Sequence, residues 1–428
     1  MAHACTKPLR AIPRRVIHLT TALAIACGAI GCGHAPVQYD LPSGSKRRVL
    51  TGLEVFIGER AKDYRGRTAA LVSNHSGVDH SLRANVELLR ASGISIALAF
   101  APEHGLHGHQ NAYDTRGYIV DERRNLMVYN LHLLTVDSLR HLLRRVDLVI
   151  YDIQDMGMRC YTYVSDLKMV MDALAGTGTE LVVLDRPNPL GFLGVDGPPL
   201  DRRFISRHIA SFPAPFIYGL TIGEAARYYN GEAGTKVRLT VVPMKNYGRG
   251  LLYHETMLPW VPPSPNLPTY PSSIVYAGIV LLEGINLSVG RGTTKPFEYI
   301  GAPWIDPFRS SEALNALKLP SFRFRPVYFE PTFSKYKNRT CGGVQIFYTG
   351  GRFSPTEFTY ILLRHLFDTY PECRWERAGG TYDIDVLAGT DRIRKLVDAK
   401  RDWRDLAREL APQLDAYRKT SARYHLYR

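Results

Sequence analysis

The chain has 428 residues, of which 45% are hydrophobic and 22% charged, and its formal net charge is +14. That length is too great for one small domain and suggests two or three units, and that composition excludes wholesale disorder. The positive charge is dispersed rather than gathered into basic tracts, which argues against a nucleic-acid binder. It suits an anionic polymer such as a cell wall or a membrane face, and equally plain solubility.

In chain order, the first element is a leader. Lys7, Arg10, Arg14 and Arg15 form a basic start with no acidic neighbour, and the run VIHLTTALAIACGAIGC that follows has signal-peptide length. It is too short and too poorly flanked for a stable membrane span. Residues 1–32 are therefore predicted to be a signal peptide. The small residues before Cys32 resemble a lipobox, with Cys27 as a competitor, so lipidation is an even alternative to simple export. Losing the leader removes four positive charges and leaves about +10. It also leaves Cys160, Cys341 and Cys373, an odd scattered set without disulfide-framework or metal-ligand spacing, with room for one bridge. Residues 33–49 read as a polar linker containing Pro and Gly.

The chain then alternates. Strands are predicted at 68–74, 94–103, 147–155, 180–189 and 237–244, with helices at 81–91, 163–176 and 221–231 between them. Val-, Ile- and Leu-rich strands separated by amphipathic helices indicate an α/β fold with a mostly parallel sheet covered on both faces, over 50–284. WVPPSPNLPTYPSS (260–273) is too proline-rich for a helix or central strand and reads as a long ordered loop. Beyond a helix-like segment at 274–283 come a glycine-rich turn, a strand at 342–350, a helix capped by Ser354, and terminal helices. These form a smaller α+β C-terminal subdomain over 285–428.

The chemistry is sought at the strand ends. AFAPEHGLHG (99–108) closes a buried strand on Pro102 and then Glu103, and open α/β sheets carry their ligands at that edge. YDIQD adds Asp152 and Asp155, and LDRPNP adds Asp185, which is chiefly turn chemistry. Asp152 and Asp155 share a side only if the strand breaks between them. His104, His107 and His109, with Asp114 nearby, raise a zinc reading, but the glycines of that loop are unlike the helix of an HExxH site. LLEGINLSVGRGTTKPFEYIGAPW (281–304) supplies Glu283, Asn286, Arg291 and Thr293, and Arg291 is suited to gripping a carboxylate. Neither a phosphate loop nor GxGxxG nor GxSxG is present, which disfavours nucleotide and serine-hydrolase chemistry. Two carboxylates, an arginine and aromatics such as Trp260, Tyr270 and Trp304 fit glycoside hydrolysis.

APEHG, YDIQDMGMRCYTYVSDL, VVLDRPNPLG, DGPPLD, YGLTIGEAARYYNGE, VPPSPNLPT, LLEGINLSVGRGTTKPFEYIGAPWID, PTFSKY with CGGVQ, and the closing ARYHLY resemble the bacterial NamZ-type exo-β-N-acetylmuramidases. The resemblance covers about residue 50 to the end. It implies a Rossmann-like N-terminal subdomain without a nucleotide, a smaller C-terminal subdomain, and a cleft between them. It implies removal of N-acetylmuramic acid from the non-reducing end of peptidoglycan fragments, with no metal or other cofactor.

On the matching motifs, Glu103 is the expected acid and Glu283 the second carboxylate, with Asp155 next. His104, Asn74, Asp152, Arg159, Tyr161, Asn286, Arg291 and Thr293 are the expected substrate-binding residues, with Arg291 or Arg159 on the lactyl carboxylate. The substrate's acetamido group can itself serve as nucleophile in such schemes, so retention and inversion both stay open. The stretch 115–134 departs from the family pattern. The expected partners are peptidoglycan glycan fragments and, only through a lipid anchor, a membrane. A non-catalytic wall-binding lipoprotein and a metal-dependent amidase using the three histidines are the alternatives.

Overall fold

The computed structural model describes residues 47–110 and 116–428. The predicted signal peptide, Cys27 and Cys32, the linker up to residue 46 and Asp114 lie outside the described residues. After a short helix α1 (Gly52–Val55), all five expected strands form: β1 (Thr68–Ser73), β2 (Ser95–Ala101), β5 (Leu148–Asp152), β6 (Glu180–Leu184) and β9 (Arg238–Val242). Two strands that the sequence reading did not place, β3 (Tyr118–Asp121) and β4 (Leu126–Asn130), fall in the stretch 115–134. Together they make a seven-stranded sheet in the order β3-β4-β2-β1-β5-β6-β9. Every neighbouring pair is parallel except β3 with β4 at one edge.

Burial on both faces is what fixes this sheet. Ala69 and Leu71, Leu148 and Ile150, and Val182 and Leu184 face one layer, with Leu53, Phe56, Val86 and Leu89. Their neighbours Ala70 and Val72, Val149 and Tyr151, and Leu181 and Val183 face the other. The two-residue period sorts each strand between two cores, so unbroken apolar runs are required. α2 (Asn85–Ala91), α3 (Val136–Leu143), α4 (Thr162–Leu174) and α5 (Ile222–Glu232) are the connections. A ribbon of β7 (Val195–Pro199) with β8 (Pro215–Tyr218) runs antiparallel beside the sheet.

The proline-rich loop ends sooner than its composition suggests. Thr269 caps α6 (Tyr270–Ile279) in a capping box with Ser272, and Pro271 lies in the first turn, where a missing N–H costs nothing. A 3₁₀ turn, Val280–Gly284, follows directly and carries Glu283. Beyond it, β10 (Tyr299–Ala302), β12 (Cys341–Tyr348) and β11 (Phe322–Phe329) form a three-stranded antiparallel sheet in the order β10-β12-β11. α7 (Pro307–Ala316), α8 (Pro355–Thr369), α9 (Asp383–Ala388), α10 (Arg392–Asp398) and α11 (Trp403–Ala422) complete the chain. One apolar core runs from the parallel sheet through α6 to β12 and α8. Cys160, Cys341 and Cys373 are buried free thiols, so the disulfide for which the sequence left room does not form among the described residues.

The chain's last residues return to the first sheet. Tyr427 donates its hydroxyl to Asp185 Oδ2 (2.6 Å) and accepts from Met244 N (2.8 Å), and Leu426 N donates to Glu224 Oε1 (2.7 Å). Asp185 is wholly buried at the end of β6. Tyr427→Phe would leave Met244 N without its acceptor and remove one of the donors to Asp185, which keeps Thr221, at a cost of about 1–3 kcal/mol. Chemical denaturation should show that loss, and an unchanged midpoint would mean the tail is only loosely attached.

Candidate active site

In a doubly wound sheet the crevice opens where successive connections leave in opposite directions. Here the chain moves outward from β1 through β2 to β4, then restarts at β5 and moves the other way through β6 to β9. The carboxyl ends of β2, β1 and β5 therefore adjoin, and Glu103, Asn74 and Asp152 with Asp155 follow them. Pro102 ends β2, and His104 and Gly105 both take left-handed backbone angles (φ 73° and 74°), which turns the chain back sharply after Glu103. It is the positive φ at residue 105 that calls for glycine, since the nearest atom to a Cβ there would be the movable end of the Gln110 side chain, at 2.2 Å.

Glu103 is half-buried, and Thr162 Oγ1, at the start of α4, donates to its Oε2 (3.1 Å). Among the described residues Oε1 of Glu103 has no hydrogen-bond partner. Glu283 approaches from the other sheet's side of the chain. Arg291 grips it with Nε on Oε1 (2.6 Å) and Nη2 on Oε2 (3.3 Å), and lies 4.8 Å from the centre of the Phe297 ring. Both side chains keep about a quarter of their surface (26% and 29%), so the pair is reachable from solvent. Lys335 donates to the carbonyls of Glu283 (2.7 Å) and Ile285 (2.5 Å) and pairs with Glu376, which locks the turn that presents Glu283.

Electrostatics tie the two carboxylates to one place. Burial lowers the Arg291 pKa, but Glu283 first and then Tyr276 and Glu103 outweigh it and leave the guanidinium above its usual value. Burial, followed by the charges of Cys160, Glu283 and Glu103, holds the Tyr276 phenol well above its ordinary range. Tyr276 on α6 meets Tyr161 edge-on (6.3 Å) and Phe297 (4.6 Å). Tyr161 meets Tyr163 (4.7 Å), and the Tyr161 phenol feels Glu103 as well. Glu103, His104, Tyr161, Tyr276, Glu283 and Arg291 thus gather between the parallel sheet's edge and the 3₁₀ turn.

The remaining expected residues are engaged elsewhere. Asn74 accepts from Ser76 N (2.9 Å) and Oγ (2.6 Å) and donates to Tyr163 (2.8 Å), which builds the loop after β1. Asp152 is fully buried and accepts from Arg186 and Asn85. Asn286 pairs with the backbone of Glu372 and Arg374, and Thr293 donates to Gly290 O (2.6 Å). Arg159, expected on a substrate carboxylate, is instead fully buried, with Nη2 on Ala388 O (2.5 Å). Burial pulls its pKa down to about 10, and a Cβ on Gly389 would touch it at 1.9 Å. Arg291, the other candidate for that carboxylate, already holds Glu283. Trp260 and Trp304 donate to Leu267 O and Tyr336, and Tyr270 is buried, so these aromatics pack rather than offer a sugar platform.

The strand does break after Asp152, as a shared role for the two aspartates required, but Asp155 then points inward. Tyr218 and Gly157 N both donate to its Oδ2, and Oδ1 is buried without a partner. It supports the site from beneath and presents no carboxylate to solvent. Among the described residues no His, Cys, Asp or Glu group is arranged to hold a metal. His107 instead faces Asp121 (3.7 Å), and His104 Nδ1 pairs with Gln110 O (3.0 Å). Sequence reasoning missed Thr162, Tyr276 and Lys335. Only the periodicity of 270–283 could have marked Tyr276, as an aromatic two turns before Glu283.

Burial raises Asp155 from 3.8 to about 6, against the donors Tyr218 and Gly157. Its folded-state proton therefore stabilises the protein fully below about pH 4, and that contribution fades as pH rises through 6. The loss by pH 8 is on the order of 3 kcal/mol. Asp155→Asn keeps an oxygen for both donors and cannot ionise, so it should gain on the wild type by that order between pH 4 and pH 8. Parallel melting curves at the two pH values would show no such divergence if Asp155 stays ionised throughout.

Known proteins match the chain over most of its length. The model of the N-terminal part of the exo-β-N-acetylmuramidase NamZ matches residues 69–271, and that of its C-terminal part matches 274–427. The peptidoglycan β-N-acetylmuramidase NamZ of Bacillus subtilis (strain 168) is 36% identical over 402 residues, which is 94% of this chain and 96% of that one. Two crystal structures of DUF1343 family proteins from Bacteroides fragilis NCTC 9343 superpose with TM-scores of 0.80 and 0.69, at 31% and 27% identity. Each alignment covers 89% of this chain and 99% of the other. On the evidence of both halves, this chain belongs to the NamZ exo-β-N-acetylmuramidase family.

Proposed function

We propose that the cleft holding Glu103 and Glu283 removes N-acetylmuramic acid from the non-reducing end of peptidoglycan fragments, as a glycoside hydrolase of cell-wall turnover. One arrangement carries this reading to particular residues: Glu103 accepts from Thr162, next to Tyr161, whose ring meets Tyr276, and Tyr276 meets Phe297, over which lies the Arg291 that holds Glu283. Hydrolysis needs a carboxyl that protonates the leaving oxygen and negative charge that supports the anomeric centre. Glu103 suits the first role, because one oxygen is oriented by Thr162 and the other is left to meet the glycosidic oxygen. Glu283 suits the second as a fixed charge. Both its oxygens accept from Arg291, an arrangement that orients the carboxylate and makes it a poor attacking group. Covalent attack by the substrate's own acetamido group fits that division of labour.

Export, either free or through a lipidated cysteine, belongs to the same reading, because the substrate lies in the wall. It rests on the leader sequence alone. Among the described residues no helix is long and apolar enough to cross a membrane.

Glu103→Gln preserves an acceptor for Thr162 and removes the proton. Release of free sugar from a chromogenic N-acetylmuramic acid glycoside should fall by about 10²–10⁴-fold. Wild-type turnover in that variant would remove Glu103 from the mechanism, and wall-fragment binding without sugar release by the wild type would favour a binding protein instead.

A further inference from the structure

N-acetylmuramic acid differs from N-acetylglucosamine by a lactyl ether on O3, so selecting it calls for a cation beside the sugar. Around the carboxyl edge, Arg186 is buried on Asp152, Arg159 is buried on backbone carbonyls, and Arg291 is forked onto Glu283. Arg207 is different. It is exposed, and its one recorded contact is from Nη2 to the Met169 sulfur at 3.5 Å on α4. Among the described residues it has no carboxylate partner.

Its position is fixed by the turn that carries it. Ser206 and Ala210 close that turn with two backbone hydrogen bonds (3.0 and 3.1 Å). His208 in the turn stacks flat on His132, with ring centres 3.4 Å apart and planes 14° off parallel. His132 follows β4, whose Asn130 is in register with Ala101 of β2, two residues before Glu103. The turn is thereby held against the strand end next to the one that delivers the acid.

The charges of Arg207 and Glu103 converge on the same two groups. Burial lowers His132, Glu103 opposes that, and Arg207 and His104 add to it. Asp166, buried one turn along α4 from Thr162, is held well above the carboxylate range by burial and then by Glu103, with Arg207 opposing. Among the described residues Arg207 makes no ion pair with Asp166. His208 is lowered to about 4, by burial and then by His132 and Arg207, so it adds no positive charge of its own near neutral pH. Arg207 thus has no ion-pair partner among the described residues, and it sits on the turn that the His208–His132 stack holds beside the strand end leading to Glu103.

We propose that Arg207 receives the lactyl carboxylate of the sugar bound at Glu103 and sets the preference for muramic acid over N-acetylglucosamine. The inference rests on the glycosidase reading above. A guanidinium and a carboxylate can make two parallel charge-assisted hydrogen bonds, which would fix the sugar ring as well as hold it. The muramic acid glycoside, its lactyl methyl ester and the N-acetylglucosamine glycoside separate the charge from the rest of the sugar.

Arg207→Met should lower kcat/KM on the carboxylate substrate by roughly 10–100-fold, mostly through KM, and affect the methyl ester much less. Arg207→Lys should recover part of the loss. An equal fall on both substrates would mean that Arg207 only holds the turn, and no change on either would overturn the proposal outright. Calorimetric binding of free N-acetylmuramic acid and N-acetylglucosamine to both proteins keeps the two readings apart. If the wild type cleaves nothing, the glycosidase reading fails, while a preference for muramic acid that disappears in Arg207→Met would still uphold the role of Arg207. No preference in the wild type would end it.

Discussion

Burying Asp152 and Arg186 together at the ends of β5 and β6 deprives both of water, a penalty of several kcal/mol per ion that only near-complete satisfaction can offset. That satisfaction is present. Arg186 gives Asp152 two hydrogen bonds (2.6 and 3.0 Å) and reaches Val78 O (3.0 Å), while Asn85 supplies a third bond to the carboxylate (2.7 Å). Ser73 donates to the Asp152 carbonyl (2.9 Å), which brings in β1. The ends of three parallel strands and the loop leading to α2 therefore meet in one polar knot, and Glu103 stands beside it. Remove either ion and the other is left charged in the interior, so the crevice is rigid because its floor cannot rearrange cheaply.

The site built on that floor divides its work between two supports. Glu103 is placed by a strand, whose position is fixed by burial on both faces. Glu283 is placed by a 3₁₀ turn, which has weaker hydrogen bonding and needs outside help. Lys335 provides it from the segment between β11 and β12, and Tyr336 adds a bond to Asn286 O (2.7 Å). Ser334, Tyr336 and Asn338 in that segment all have positive φ, an uncommon backbone for residues with side chains, held here by the contacts they make. Glu103 thus directly follows a strand buried in the sheet, and Glu283 sits on a turn clamped from outside.

Much of this was legible beforehand, for reasons that also mark the limit. Strands such as ALVS and VIYD announce themselves because both faces are apolar, and the parallel sheet follows from the helices between them. β3 and β4 escaped because an edge pair is half exposed: Tyr118, Val120 and Met127 face solvent and blur the pattern. The acids at the strand ends were visible as a class, yet Glu103 and Asp152 carry the same local signature, a carboxylate closing a buried strand. What separates them is whether an arginine arrives from elsewhere, and Arg186 lies 34 residues beyond Asp152. Arg159 and Arg291 failed as free cations on the same ground. Partners distant in sequence are settled by packing, which local spacing does not encode, and a family resemblance carries over positions without carrying over which of them are occupied.

The tail that closes on Asp185 has a consequence for how the molecule holds together. The first sheet is complete in sequence by Val242, but one of the hydroxyls that donate to its buried aspartate belongs to Tyr427, and Arg249 N finds its acceptor at Arg428 O. The sheet can collapse on its own residues, yet that edge gains these bonds only once residues 424–428 have packed against it. The first part of the fold is thus sealed by the last described residues, and its stability is coupled to theirs across more than 180 residues of chain.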